Sequence, residues 1–199
     1  MKNILHIITS PRASESVSIQ LGNAIVKQLQ DTFPGSAVAT LNLATHPLPH
    51  LDELTITALR TPADQQTTIQ KEALTASDAA IAQLLDADIL VIGVPLYNFG
   101  IPSNLKSWLD HIIRAGKTFS YTAEGPKGLV EGKKVYMAFS SGAVYSEGPY
   151  KDFDFATPYV TTALGWIGIT DVTAVRAEGL GIPGVKETAL EKAIEAFAV

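Results

Sequence analysis

Hydroxyl side chains crowd one short segment near the amino terminus of the chain. Thr9-Ser10-Pro11-Arg12-Ala13-Ser14-Glu15-Ser16-Val17-Ser18 follows an apolar run and opens a helical pattern. Hydroxyls beside the free N–H groups of a helix N-terminus suit a phosphate, and the helix dipole favours the anion. One serine would suffice to cap the helix, so three together, Ser10, Ser16 and Ser18, favour a phosphate site. The segment lacks glycine and a Gly-Lys-Ser/Thr ending, which argues against a Walker A motif.

A second segment presents apolar and aromatic side chains where a strand ends. Its residues are Pro95, Leu96, Tyr97, Asn98 and Phe99. Such side chains would form a flat wall, and the backbone N–H and C=O groups of the same loop could meet the polar edge of a planar heterocycle. Aromatic residues more often fill a core, but their position at the end of a strand favours the wall.

Two glycine-containing segments are less specific. Ser140-Ser141-Gly142-Ala143 would let the backbone approach a ligand closely, although an ordinary turn is the better explanation when the segment is taken alone. Gly179-Leu180-Gly181-Ile182-Pro183-Gly184 fits the pattern G-x-G-x-x-G. No strand or acidic residue follows it at the distance that a dinucleotide site requires, so we interpret it as a loop.

Metal and nucleophile chemistry has little support. The chain has no cysteine, which excludes disulfides, thiolate ligands and cysteine nucleophiles. His46 and His50 flank prolines, and no third metal ligand is evident. His6 lies in a buried run and is expected to be a core histidine whose hydrogen bonds are made, and His111 is expected to be structural or exposed. No Gly-x-Ser-x-Gly elbow occurs.

Alternating strands and helices must position these segments. Apolar or alternating runs predict five strands, and helical spacing predicts five helices; the strands are 4–8, 37–43, 88–94, 134–140 and 171–177, and the helices are 17–31, 68–85, 102–114, 155–167 and 185–198. We expect a long loop over 44–62, a small hairpin within 118–132, and Pro102 in the first turn of its helix. The order predicts an α/β fold, a three-layer doubly wound five-stranded parallel sheet of flavodoxin-like order 2-1-3-4-5, in a single domain over residues 1–199. A ligand would lie beyond the carboxyl ends of the first and third strands.

Composition restricts the class of protein. The chain is 46% hydrophobic and 18% charged, which is typical of a globular protein. Its net charge of -5, without a basic block, argues against a nucleic-acid partner. The first residues do not form a signal peptide, and no stretch approaches the ~20 apolar residues of a membrane span. We therefore expect a soluble, cytoplasmic protein with no membrane partner.

Taken together, the motifs resemble the FMN-dependent NADH-azoreductase family, also described as FMN-dependent NADH:quinone oxidoreductases, over nearly the whole chain. Pro95-Leu96-Tyr97-Asn98-Phe99 is similar to the family's Pro-Met-Tyr-Asn-Phe flavin loop, with leucine in place of methionine. The resemblance continues through three further tracts, which are Ala115-Gly116-Lys117-Thr118-Phe119-Ser120-Tyr121-Thr122, Gly125-Pro126-Lys127-Gly128-Leu129-Val130 and Gly165-Trp166-Ile167-Gly168-Ile169.

The resemblance implies a homodimer that holds one FMN per subunit near the interface, with NADH or NADPH as the donor. It implies that Ser10, Ser16, Val17 and Ser18 hold the phosphate, and that Pro95 to Phe99 and Ser140 to Ala143 line the isoalloxazine. The flavin would carry the chemistry, so no residue is assigned as catalytic. A nicotinamide and then a quinone or an azo compound would occupy one site in turn, which gives ping-pong kinetics.

The chain departs from the family pattern at two positions. Ser140-Ser141-Gly142-Ala143 stands where Ser-Arg-Gly-Gly is common, and the lost arginine bears on substrate or nucleotide preference. Trp166 stands where phenylalanine is common, and its larger ring could narrow a pocket. Tyr121 and Tyr145 are further candidates for that pocket wall.

Two alternatives remain open. A flavodoxin-type electron carrier would share the fold and FMN, but carriers are usually strongly acidic and their partners are proteins. A net charge of -5 together with an open aromatic pocket favours the enzyme. A binding or regulatory protein of the same fold would lack the cofactor, which the three matching loops disfavour.

Overall fold

A five-stranded parallel sheet forms the centre of the computed structural model, which describes residues 1–198. These described residues form seven strands, of which β4 and β5 make a separate antiparallel hairpin: β1 (Asn3–Ile8), β2 (Ala37–Asn42), β3 (Ile89–Pro95), β4 (Phe119–Thr122), β5 (Gly125–Gly128), β6 (Lys134–Ser140) and β7 (Asp171–Ala177). The sheet has the order β2-β1-β3-β6-β7. This order is 2-1-3-4-5 for the five sheet strands, so the predicted flavodoxin-like topology is confirmed.

Helices cover both faces of the sheet. They are α1 (Val17–Thr32), α2 (Glu53–Arg60), α3 (Thr68–Ala73), α4 (Thr75–Asp86), α5 (Ser103–Ile112), α6 (Ala156–Trp166) and α7 (Ala189–Glu195), with short 3-10 turns at Ala13–Glu15 and Gly148–Phe153. One buried cluster joins α1 and α7 to one face of the sheet, around Leu21, Ile25 and Tyr136. The other joins α4, α5 and α6 to the opposite face, around Leu84 and Trp108.

The pattern of burial explains why the central strands were readable from sequence. Every residue of β3 is buried, as a strand covered on both faces requires. β2 lies at an edge and is exposed from Ala37 to Thr40, so its alternation does not reflect a buried face. The register Ile4↔Ile89 between β1 and β3 brings the carboxyl ends of these strands together.

Four predictions about individual elements are wrong. The predicted loop over 44–62 contains α2, which begins where an oxygen of Asp52 accepts a hydrogen bond from the backbone N–H of Thr55 at 2.7 Å. The predicted helix over 68–85 divides near Leu74, and the last helix is shorter than 185–198. Pro102 stands at the N-cap of α5 with ψ 143°, outside the first turn in which it was expected.

No helix within residues 1–198 combines the length and the apolar character needed to cross a bilayer. The hairpin β4–β5, predicted within 118–132, is present.

Candidate functional site

A cavity of about 260 Å³ opens at the carboxyl edge of the sheet, where β1, β3 and β6 end. Residues from all three chemistry-bearing segments line it, together with part of the loop after β7: Ser10, Arg12, Ser16, Val17, Pro95, Leu96, Tyr97, Ser140, Ser141, Gly142, Leu180 and Gly181. This is the switch point between neighbouring strands at which doubly wound sheets bind ligands.

Buried hydroxyl groups form the end of the cavity nearest to α1. The Oγ atoms of Ser16 and Ser18 lie 3.0 Å apart. Ser16 is the N-cap residue of α1, yet its side chain accepts no hydrogen bond from a backbone N–H of the first turn. Ser16 therefore does not fulfil the capping role that would explain a single serine, and its hydroxyl pairs with that of Ser18 instead. Ser18 is fully buried behind Ser16 and does not line the cavity.

Arg12 adds a positive charge that the sequence interpretation did not assign. It lines the cavity, and its backbone N–H donates to the Oγ of Ser10 at 3.4 Å. Its guanidinium is largely exposed and lies 3.9 Å from a carboxylate oxygen of Glu15. The sequence does contain a signal for Arg12, namely a single cation within a serine-rich segment. Hydroxyls and an arginine together suit a phosphate better than hydroxyls alone.

Only part of the Pro95–Phe99 segment lines the cavity. Pro95, Leu96 and Tyr97 line the cavity, and the Tyr97 hydroxyl lies 3.3 Å from the Oγ of Ser10. Asn98 and Phe99 lie at the tip of the turn with φ of 48° and 70°, in the left-handed region. Neither lines the cavity, and Phe99 is 48% exposed, so it does not fill a core.

The segment after β6 is held by the loop that matches G-x-G-x-x-G. The backbone N–H of Leu180 donates to Ser141 O at 3.0 Å, and that of Gly181 donates to Gly142 O at 2.8 Å. A Cβ at Gly181 would lie 3.1 Å from that Gly142 oxygen, so the close approach favours glycine. The stretch is a loop, as expected, but Leu180 and Gly181 also line the cavity. Ala143 does not line the cavity, and its carbonyl accepts from the Ser141 hydroxyl at 2.8 Å.

The three proposed substrate-pocket residues lie outside this cavity. Tyr121 projects from the hairpin and is 74% exposed. The buried ring of Phe119 contacts both exposed rings, with its centroid 5.4 Å from that of Tyr121 and 5.8 Å from that of Trp166, so the three form one aromatic group. Tyr145 borders a separate recess beside Arg176.

The histidines are structural in different ways. His6 is buried and its Nε2 has no hydrogen-bond partner, so the expectation of a satisfied core histidine is wrong; burial lowers its pKa to about 4. The Nε2 of His111 pairs with Pro49 O at 2.9 Å, and the Nδ1 of His50 pairs with the Oγ of Ser107 at 3.0 Å. These contacts fix the segment before α2 onto α5.

Comparison with known proteins identifies the family. A family model described as "Flavodoxin-like fold" matches residues 2–199. An FMN-dependent NADH:quinone oxidoreductase of Herminiimonas arsenicoxydans is 45% identical over 189 residues, covering 94% of this chain and 93% of the relative. One of the same description from Paraburkholderia phymatum is 47% identical over 199 residues, covering 100% and 99%.

Solved structures agree with the sequence relatives. The crystal structure of an azoreductase from Bacillus anthracis str. Sterne superposes with a TM-score of 0.90 at 33% identity, covering 98% of this chain and 96% of that one. An FMN-dependent NADH-azoreductase from Bacillus anthracis str. Ames Ancestor, in complex with FMN, gives a TM-score of 0.86 at 28% identity, covering 98% and 97%. With its flavodoxin-like sheet and its full-length relatives, the chain belongs to the FMN-dependent NADH:quinone oxidoreductase family.

Proposed function

We propose that this chain binds one FMN per subunit in the cavity and reduces quinones and aromatic azo compounds with electrons from NADH or NADPH. The observation that carries the proposal is the convergence of the serine-rich segment, the Pro95–Phe99 segment and the Ser140–Gly142 segment on one cavity. Each segment on its own has an ordinary structural explanation, whereas the three together supply what a flavin nucleotide requires.

The donor set at the α1 end fits the phosphate of FMN. Ser10, Ser16 and Val17 line the cavity beside the N-terminus of a helix of 16 residues, and Arg12 brings a positive charge to its rim. An anion there gains hydrogen bonds from hydroxyls and backbone N–H groups, together with the favourable end of the helix dipole. Ser18, whose Oγ lies next to that of Ser16, would orient the Ser16 hydroxyl.

The opposite part of the cavity fits a planar ring. Pro95, Leu96 and Tyr97 offer an apolar wall, and the backbone of Ser140 to Gly142 offers polar groups across from it. The N–H of Leu96 donates to Ser140 O at 2.8 Å, which fixes the two segments relative to each other before any ligand binds. Asn98, Phe99 and Ala143 would then act at the rim of the ring rather than as its wall.

Within the cavity, the chain's own role is binding and orientation. Bound FMN supplies the two-electron chemistry. Arg12 and Tyr97 are the ionisable side chains that line the cavity. Because hydride transfer through the flavin requires no dedicated acid or base from the protein, we assign no catalytic residue. The same open edge would admit the nicotinamide and the acceptor in turn, which predicts ping-pong kinetics.

Exposed aromatic side chains outside the cavity support a homodimer. Phe99, Tyr121, Tyr150, Phe155 and Trp166 are each between 44% and 74% exposed. An apolar patch of this kind marks an interaction surface. A second copy covering it would place Tyr121, Tyr145 and Trp166 at the edge of a substrate pocket. A cytoplasmic location, where pyridine nucleotides are available, completes the proposal.

The test is the anaerobic visible spectrum of the FMN-saturated protein before and after addition of NADH, followed by a small quinone. We expect a bound-flavin band that NADH bleaches and the quinone restores, with parallel initial-rate lines when both substrates are varied. If NADPH but not NADH bleaches the flavin band, the electron donor is NADPH. Binding of FMN without turnover of a quinone or an azo compound would replace the enzyme by an electron carrier, and no binding of FMN would refute the assignment of the cavity.

A further inference from the structure

Arg176 occupies the end of β7 between two carboxylates. Its Nη2 donates to an oxygen of Asp154 at 2.8 Å and to the Oγ1 of Thr157 at 2.7 Å, while its Nη1 donates to Glu178 Oε1 at 3.2 Å. The side chains of Asp154 and Glu178 are each only 8% exposed. The guanidinium also stacks over the ring of Phe139, 4.4 Å from its centroid. A planar, permanently charged fork is the group that can serve all of these partners at once.

Each carboxylate in turn holds a different part of the chain between β6 and α6. The carboxylate of Glu178 accepts from the backbone N–H groups of Tyr145 and Ser146, at 2.9 and 3.3 Å. Asp154 accepts from the N–H groups of Ala156 and Thr157, at 3.1 and 2.9 Å, and so caps the start of α6. Arg176 therefore ties together the two ends of one segment, residues 145–154, which we name the aromatic segment.

The aromatic segment depends on these anchors because it has few others. Its only regular structure is the 3-10 turn Gly148–Phe153, which contains no buried residue. A segment with so few buried contacts opens at low cost in free energy unless its ends are fixed. Burial raises the pKa of Asp154, but its hydrogen bonds from Thr157 and Arg176 outweigh that effect and lower the pKa, so the carboxylate is charged and able to pair.

The aromatic segment adjoins two of the segments that supply residues to the proposed flavin cavity, and none of its own residues lines that cavity. Its beginning follows directly on Ser140–Ala143. Its far end meets the turn after β3, where the rings of Phe153 and Phe99 lie 5.7 Å apart, and the N–H of the next residue beyond the segment, Phe155, donates to Phe99 O at 3.1 Å. The Tyr145 and Tyr150 rings face each other within the segment at 6.3 Å. None of these residues belongs to the serine-rich phosphate end of the cavity.

We propose that Arg176, paired with Asp154 and Glu178, is the positioning residue that holds the aromatic segment in place as the acceptor-side wall of the flavin site. The inference rests on the proposed function. It assigns to Arg176 an effect on the use of the quinone or azo acceptor rather than on the retention of FMN.

The experiment compares Arg176→Met with wild type and with Lys27→Met, a control that removes the exposed ion pair between Lys27 and Asp31 on α1. Lys151 stands in the middle of the aromatic segment, so tryptic cleavage after it measures how often the segment opens, with or without FMN. We expect Arg176→Met to accelerate this cleavage about tenfold and to raise the KM for a quinone about tenfold. The Kd for FMN should stay within about twofold, and Lys27→Met should match wild type in all three quantities.

Two further variants guard the interpretation. Arg176→Lys keeps the charge without the planar fork, so its KM for a quinone should lie between those of wild type and Arg176→Met. If Arg176→Met does not fold, Glu178→Gln takes its place in the experiment. It removes one charge while keeping a similar shape, and it should also accelerate the tryptic cleavage after Lys151. Unchanged cleavage and unchanged quinone KM in folded Arg176→Met would overturn the proposal, as would a loss of FMN equal to the loss of activity. A wild-type protein that fails to bind FMN would refute the proposed function, whereas the cleavage of apoprotein would still report on the segment.

Discussion

The imidazole of His6 in β1 lies directly against the backbone of Gly22 in α1. A Cβ on Gly22 would lie 2.6 Å from the Nε2 of His6. That nitrogen is buried and has no hydrogen-bond partner. The absence of a side chain at Gly22 is thus what allows α1 to pack over a histidine on the central sheet, and this close approach has consequences for stability and for its dependence on pH.

Replacing Gly22 with alanine is expected to destabilise the fold by about 1–3 kcal/mol, the usual cost of an added methyl group in a filled core. Helix propensity acts in the opposite direction, since alanine is favoured over glycine within a helix by about 1 kcal/mol. Gly165→Ala in α6 is the matched control, because beyond its chain neighbours and the backbone of its own helix no atom lies within 4 Å of the added Cβ. Urea unfolding should show a lower midpoint for Gly22→Ala and an equal or higher one for Gly165→Ala. An equal rise of the urea midpoint in both variants would show that the His6 ring moves aside freely.

The free energy of unfolding should fall as the pH is lowered from 6.5 towards 4 because of His6. Its pKa is 6.5 in the unfolded chain and is lowered to about 4 by burial, so the unfolded state binds the proton more readily in this interval. Above pH 6.5 the effect is absent, and near pH 4 it reaches about 3 kcal/mol, since each pKa unit corresponds to about 1.4 kcal/mol. Asp154 acts in a lower range, because a carboxylate with a lowered pKa loses its contribution only as the pH falls below its ordinary value.

The measurement is urea unfolding at a series of pH values for wild type and His6→Leu. The variant should lose the slope between pH 6.5 and 4 while keeping the decline at lower pH. A slope that survives in His6→Leu would assign it to another group.

Much of the fold could be predicted because buried parallel strands leave a continuous apolar signature. The predicted bounds of β6 and β7 agree with the structure. α2 escaped prediction because its buried residues, Thr55 and Ala58, are not strongly apolar. Leu180 and Gly181 escaped for a different reason. They reach the cavity through backbone hydrogen bonds to Ser141 and Gly142, and such contacts leave no pattern in side-chain types.

The hydroxyl of Ser16 should contribute to FMN affinity in a way that the neighbouring Ser14 does not. Ser16 is buried and lines the cavity, whereas Ser14 is exposed and lies outside it. Loss of one hydrogen bond to a charged group costs about 1.5–3 kcal/mol, so Ser16→Ala should raise the Kd for FMN by a factor of ten or more. Fluorescence titration of apoprotein measures this, with Ser14→Ala as the control. Equal affinities in the two variants would remove Ser16 from the phosphate site.

Arg12 should contribute to FMN binding mainly at low ionic strength. Its guanidinium lies at the exposed rim of the cavity, where salt screens its charge. Arg12→Gln is expected to weaken FMN binding several-fold in dilute buffer, and the difference from wild type should shrink in ~0.5 M salt. Lys27→Gln, on the outer surface of α1, serves as the control for a general loss of positive charge. A deficit that is independent of salt would indicate a direct, desolvated contact with the phosphate instead.

Gly128 at the end of β5 should couple the hairpin to the use of acceptor. A Cβ at Gly128 would fall well inside contact distance of the backbone of Ile167 and Gly168, which cannot move aside as a side chain could. The N–H of Val130 also donates to Ile167 O at 2.8 Å, so the hairpin that carries Tyr121 rests on the end of α6 beside Trp166. Gly128→Ala should therefore shift the hairpin and raise the KM for a quinone several-fold, while FMN affinity stays near that of wild type because the cavity lies apart from the hairpin.

Lys127→Ala changes an exposed residue of the same strand and should leave both the quinone KM and the Kd for FMN unaltered. If Gly128→Ala folds and keeps the wild-type quinone KM, then Tyr121 and the hairpin do not belong to the acceptor pocket.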